Sequence, residues 1–193
     1  MGYHESLTEG RNAVLEAFRS GKTVDRLFVL DGCQDGPVKT ILREAKKQDT
    51  MVQYVKKERL DQLSETKNHQ GVIAYCAACE YAEVSDILEN AKKKGEAPFI
   101  VLLDGIEDPH NLGAIIRTAN QAGAHGVIIP KRRAVGLTAT VARTSAGAVN
   151  YTPVAKVTNL VTVMEDLKKE GMWFVCADMD GEEMYSLNLK GPI

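Results

Sequence analysis

A chain of 193 residues has room for one large domain or two small ones, and 44% hydrophobic with 26% charged residues is the balance of a globular protein, not of a disordered or fibrous one. The net charge of −2 lacks the basic excess of proteins that hold nucleic acid by charge alone, so any RNA contact must come from a local basic patch. No apolar run is long enough to span a bilayer and no charged-then-apolar leader opens the chain, which argues against a membrane or secreted protein and for the cytoplasm.

Met1-Gly2 followed by Ser6 fits a myristoylation pattern, one short enough to arise by chance. Asn12 to Arg19 then places Val14, Leu15, Ala17 and Phe18 at helical spacing. Arg26-Leu27-Phe28-Val29-Leu30 reads as a buried strand closed by Asp31-Gly32. Val38 to Lys47 is helical again, with Val38, Ile41, Leu42 and Ala45 on one stripe. Met51 to Val55 predicts a strand, Glu58 to Leu63 a short helix, and Val72 to Ala78 a strand.

That last strand ends in Cys76-Ala-Ala-Cys79. A C-x-x-C is half of a zinc site or a redox pair in other settings. Here no second ligand pair follows, and the cysteines close an apolar run instead of opening a helix. The expectation is reduced, buried thiols and no metal.

Val84 to Lys94 predicts a helix with Ile87, Leu88 and Ala91 inward and Lys92-Lys93-Lys94 outward, where a basic run suits the helix C-terminus. Breaker residues from Gly95 to Pro98 follow. The expected division is a first domain over 1–79, a linker with a helix over 80–97, and a second domain over 98–193.

The second domain opens with the nearly uniform apolar run Phe99 to Asp104, the pattern of a strand buried on both faces of a parallel sheet. A helix from about Leu112 to Ala124 comes next, then a strand at Gly126 to Pro130. A helical stretch at Thr138 to Arg143, a helix from Asn159 to Lys169 and a strand Trp173-Phe174-Val175-Cys176-Ala177 complete the series. This alternation predicts an α/β protein with parallel βαβ units.

Ligands of open parallel sheets bind beyond the carboxyl ends of the strands. The loop there, Asp104 to Asn111, is polar and has no G-x-G-x-x-G, which removes the main support for a nicotinamide enzyme. Asn111 has the residue type and place of an N-cap. Arg117 lies off the stripe of Leu112, Ile115, Ile116 and Ala119, on a face with Gly113, Asn120 and Gln121; by spacing alone it is either solvated or functional. Gly113 beside it lets a backbone or ligand come close. Lys131-Arg132-Arg133, directly after a strand, reads as a phosphate clamp or a solvated basic loop.

The segment Asp104 to Ala119 resembles the first signature motif of the SpoU/TrmH family, roughly D-x-x-x-D-P-x-N-x-G-x-x-x-R-T/S-A, matched by Asp104, Asp108, Pro109, Asn111, Gly113 and Arg117. Further similarity runs through Gly10-Arg11-Asn12-Ala13-Val14, His69-Gln70-Gly71-Val72, Ile129-Pro130-Lys131 and Thr144-Ser145-Ala146-Gly147-Ala148. On these segments the chain is identified as similar to the RNA 2′-O-ribose methyltransferases of the SPOUT superfamily, and most to bacterial enzymes that methylate a guanosine ribose in 23S ribosomal RNA.

The resemblance implies an N-terminal L30e/L7Ae-like α/β RNA-binding domain and a C-terminal SPOUT methyltransferase domain, a parallel sheet with a trefoil knot. It further implies S-adenosylmethionine as cofactor, RNA as partner and a homodimer. It makes Arg117 and Asn111 catalytic and brings Ala177, Asp178, Met179 and Gly181 near the adenosine. It assigns RNA contacts to Lys131, Arg132 and Arg133, and to His69 and Gln70, which otherwise merely close a turn. Two later family motifs, a glycine-rich stretch with a glutamate and an Asn-x-Ser segment, are absent, so the second domain and cofactor pocket are expected to be incomplete in this chain.

Family proposals make the arginine the base. A neutral guanidinium is costly, and an Arg117 that grips the adjoining phosphate and the hydroxyl fits its chemistry better. Alternatives are a non-catalytic RNA-binding module, a transfer-RNA target and a small-molecule α/β enzyme; only the methyltransferases need Asn111 and Arg117 at this spacing.

Overall fold

A computed structural model describes residues 6–193; Met1-Gly2 of the lipidation pattern lies outside the described residues. The chain forms two compact units. One holds the described residues up to Glu80 with Gly136–Arg143, and the other Tyr81–Val135 with Thr144–Ile193.

In the first unit, β1 (Ser6–Glu9), α1 (Arg11–Arg19), β2 (Val24–Leu30), α2 (Gly36–Lys47), β3 (Met51–Val55), α3 (Lys57–Leu63) and β4 (Val72–Cys76) make a mixed sheet of order β1-β4-β2-β3. β2 and β3 are parallel, and β4 runs antiparallel to β1 and β2. Successive strand residues face opposite sides, so β2 serves two cores. Leu27 and Val29 pack with Val14 and Phe18 of α1 and Ile41 of α2, while Phe28 packs with Leu60 of α3 and Ile73 of β4. Each such side chain, fully buried, contributes about 1.5–3 kcal/mol. Phe28 and Tyr75 add an edge-to-face contact at 5.8 Å.

β1 was not expected from its composition. Its run Ser6-Leu7-Thr8-Glu9 has one apolar residue, and only pairing with β4 makes it a strand. Its last residue does more. The Glu9 carboxylate accepts from the Ser64 hydroxyl, from Glu65 N at 2.7 Å, and from Thr66 N and Oγ1 at 3.2 and 2.9 Å. It thus fastens the loop that leads to His69. Cys76 is buried and Cys79 partly so; both are free, and burial pushes the Cys79 thiol up, keeping it protonated and unreactive near neutrality.

The second unit contains α4 (Val84–Lys94), β5 (Ile100–Leu102), α5 (Pro109–Gln121), β6 (Gly126–Pro130), β7 (Val154–Val157) and α7 (Leu160–Lys169), with α6 (Ala139–Thr144) mostly in the first unit. The strands are parallel in the order β5-β6-β7. Their core joins Ile87 of α4 to Ile100, Ile128, Ala155, Leu167 and Met172. The helix at 84–94 is therefore packed into this unit, and a reciprocal capping box between Glu83 and Asp86 starts it.

The structure has no strand at Trp173–Ala177. An apolar run becomes a strand only beside a partner ladder. Here one backbone bond, Trp173 N to the Pro192 carbonyl at 3.2 Å, joins the segment to another stretch, and Trp173 and Val175 are exposed. β7, by contrast, is short and polar at Lys156, yet pairs with β6 through four residues. No helix among the described residues is long and apolar enough to cross a membrane.

Burial opposes ionisation of Glu9, but its hydrogen bonds from Ser64, Glu65 and Thr66 outweigh that and hold the carboxyl below its usual value of 4.5. A depressed folded pKa stabilises fully above the unfolded value and is lost as pH falls through the folded one. Thermal midpoints measured on acidification should therefore fall below pH 4.5, and Glu9→Gln should flatten that limb. Ile87→Ala, which empties a fully buried site in the second core, should cost about 2–5 kcal/mol in urea unfolding.

Candidate functional site

The loop after β5 turns into α5 through Asp108, whose Oδ1 accepts from His110 N at 3.1 Å, with Pro109 in the first turn. This corrects the expectation that Asn111 caps the helix: proline at the first position lets the helix start earlier, so Asp108 takes the cap and Asn111 sits inside the first turn, exposed. Arg117 lies further along the same helix. It too is exposed, and it makes no hydrogen bond or ion pair among the described residues. Six residues of α-helix separate the two by about 9 Å of rise and roughly a third of a turn in azimuth, so Asn111 cannot orient Arg117 directly.

α5 is held from the other side by the segment Thr144–Ala148. A Cβ on Gly113 would lie 3.0 Å from Ser145 N and 2.8 Å from Thr144 Cβ. Glycine here is a close approach of backbone to backbone, and Thr144 Oγ1 donates to the Pro109 carbonyl at 3.4 Å. Farther along, Asn120 Nδ2 donates to Thr152 Oγ1 at 2.9 Å.

The basic loop joins the same end of the sheet. Lys131 N donates to the Val157 carbonyl at 2.8 Å, and Val135 N donates to the Ile106 carbonyl at 2.9 Å. Arg132 and Arg133 are exposed between those anchors, Arg133 with φ 56°. The second unit thus brings together the 104–119, 129–133 and 144–148 segments. Ala177, Asp178, Met179 and Gly181 lie in an irregular, exposed stretch of the same unit, with Met179 100% exposed and Asp178 Oδ1 accepting from Met179 N at 2.6 Å.

In the first unit, segments nearly 60 residues apart meet. Gly10 N donates to the Val72 carbonyl at 3.2 Å, Arg11 N to Gln70 Oε1 at 3.2 Å, and Arg11 Nε to the Gln70 carbonyl at 3.1 Å. His69 is buried. Its Nδ1 accepts from Gly71 N at 3.0 Å, so Nε2 carries the proton and donates to Asp61 Oδ1 at 3.0 Å. Both ring nitrogens are engaged in closing the turn, whereas Gln70 is exposed. Sequence reasoning quoted Arg11 only as part of a similarity and passed over Leu30 and Cys33. All three line a cleft with Gln70 and Gly71. The glycine just before Arg11 and the glycine after Gln70 were the available signal.

Residues 98–193 match the SpoU rRNA Methylase family, and residues 7–82 match RNA 2′-O ribose methyltransferase substrate binding. The chain is 48% identical over 182 residues to the "Putative TrmH family tRNA/rRNA methyltransferase YacO" of Bacillus subtilis (strain 168), covering 94% of this chain and 72% of that protein. A like-named protein of Staphylococcus haemolyticus (strain JCSC1435) is 45% identical over 176 residues, 91% of this chain and 70% of the relative. A solved rRNA methyltransferase from Sinorhizobium meliloti matches in fold with a TM-score of 0.50 at 24% identity, covering 96% of this chain and 68% of that one. The chain belongs to the SpoU/TrmH family of S-adenosylmethionine-dependent RNA methyltransferases.

Proposed function

We propose that the protein methylates a ribose 2′-hydroxyl of RNA, with a guanosine of 23S ribosomal RNA as target, and that it works as a homodimer in the cytoplasm. The observation that carries this reading is Arg117, exposed and without a partner among the described residues, on the helix that follows the loop after β5. An arginine kept free in this way has its whole fork of donors available for a substrate oxyanion.

S-adenosylmethionine supplies an activated methyl group when bound. The residues that would stand beside its adenosine, Ala177, Asp178, Met179 and Gly181, are all exposed, with Asp178 Oδ1 accepting from Met179 N. The chain's own part is to position the hydroxyl. Arg117 grips the phosphate beside the target ribose together with the 2′-oxygen and stabilises charge that develops there, while the proton leaves toward that phosphate. Asn111, too far along the helix to reach Arg117, contacts the hydroxyl or the neighbouring sugar. Lys131, Arg132 and Arg133 follow the RNA backbone from the adjacent loop, and Gln70 touches RNA in the first unit, with His69 holding its turn.

The test supplies unmethylated ribosomal RNA, transfer RNA and methyl-labelled S-adenosylmethionine. Label is expected in alkali-resistant dinucleotides of 23S RNA. Arg117→Ala should lower transfer at least about 100-fold, and Arg117→Lys should fail to restore it because an ammonium lacks the fork. Unchanged transfer in Arg117→Ala removes the arginine from the reaction. Label in transfer RNA alone moves the target, and binding without transfer makes this an RNA-binding module.

A further inference from the structure

Resting on the RNA reading above, we infer that His110 is the general base of the transfer: its imidazole takes the proton of the ribose 2′-hydroxyl that Arg117 holds. The arginine cannot serve, because its guanidinium stays protonated. A phosphodiester oxygen, which stays ionised near neutrality, is too weak a base to keep the proton that leaves toward it. The hydroxyl therefore needs a further acceptor within reach of the same helix face.

Among the described residues, His110 is the histidine whose ring nitrogens are uncommitted. His69 engages both of its own with Gly71 N and Asp61. His125, 2% exposed, accepts from Phe99 N at Nδ1 and donates from Nε2 to Glu96 Oε2, each at 3.0 Å. The His110 side chain is exposed and makes no hydrogen bond or ion pair among the described residues, while its backbone N donates to Asp108 Oδ1. A histidine that holds structure together has its nitrogens occupied. This one is anchored by its backbone and left open at the ring.

Its place on α5 matches Arg117. Seven residues of α-helix make almost two whole turns, so the two positions lie within about 20° of one line and roughly 10 Å apart along the axis. Ala114 stands between them, a methyl group where a longer side chain would fill the gap. Side chains of a helix lean toward its N-terminus, which carries Arg117 over Ala114 toward His110 and narrows the gap to about the size of one ribose with its phosphate. Asn111 lies about 100° from His110 around the axis, at the edge of this stripe. The step balances within these groups. The O–H bond breaks with its electron pair left on oxygen, and that oxygen forms the new O–CH3 bond. The pair of the methyl–sulfonium bond stays on sulfur, and the proton passes to an imidazole nitrogen and then to water.

The experiment follows single-turnover methyl transfer by the whole protein, from about pH 5 to 8, to whichever RNA the native protein labels, and separately measures RNA affinity without cofactor. Asp104, Glu107, Asp108, Arg117 and the loop at 131–133 are the charged groups of these surroundings, so the comparison is with His110→Gln, in which all of them stay. Native transfer should fall on the acid side, where the imidazole is already protonated and cannot accept. His110→Gln should be at least about 100-fold slower and lose that acid limb, with RNA affinity within about threefold and the thermal midpoint retained. In His110→Ala, added imidazole should restore transfer at least about tenfold. Transfer by His110→Gln within about threefold of native overturns the inference alone. So does a loss matched by lost RNA affinity, which makes His110 an RNA anchor, and so does a slow variant that keeps the acid limb or an His110→Ala that ignores imidazole. Absence of transfer by the native protein to every RNA overturns the methylation reading with it.

Discussion

Parallel pairing of β6 with both neighbours is the constraint on which the second unit depends. It sends β5, β6 and β7 out of the sheet at one end, so the loops that follow β5 and β6 emerge side by side. The bond from Val135 N to the Ile106 carbonyl then ties those loops to each other. The acidic, proline-bearing turn and the basic run are neighbours because of backbone hydrogen bonds, before any side chain is considered. The side chains of Arg132 and Arg133 are thereby left exposed.

α5 shows the same division of labour within one helix. Its start is set by Asp108 and Pro109, its packing by Gly113 against Thr144 and Ser145, and its anchoring by Asn120 on Thr152. Asn111 and Arg117 take no part in any of this. In a motif where spacing matches a family, some residues hold the helix and others are held by it, and the hydrogen-bond partners separate the two groups. In the first unit, Glu9 and His69 support from beneath, while Gln70 is presented above them.

Most of the fold was legible where apolar periodicity was strong. The bounds of β3, α4 and β6 match those predicted, and α1, α2, α3, α5 and α7 begin within a few residues of expectation. The exceptions share a cause. β1 and β7 are short, nearly patternless strands made by their neighbours, whereas Trp173–Ala177 has the pattern of a strand without the ladder to make it one. Pairing is a property of two segments, and periodicity reads one at a time. The parts of the site were visible as motifs, but the shift of the cap from Asn111 to Asp108 was not, since both residue types suit that position. Nor was the meeting of Arg11 with Gln70, a contact across 59 positions that no local pattern encodes.

Arg11 and Arg117 differ in how far folding has already ordered them. Arg11 is immobilised by Gln70, Cys33 and Asp35, and its rotamer entropy, about 2 kcal/mol for such a side chain, is surrendered during folding. Arg117 keeps that freedom until something orders it. A ligand meeting the first arginine finds a finished surface and can associate quickly. One meeting the second must supply the ordering itself, so only a molecule with contacts to spare locks it in place. Capture and commitment would then be separate events on one chain, the first fast and permissive, the second slower and selective.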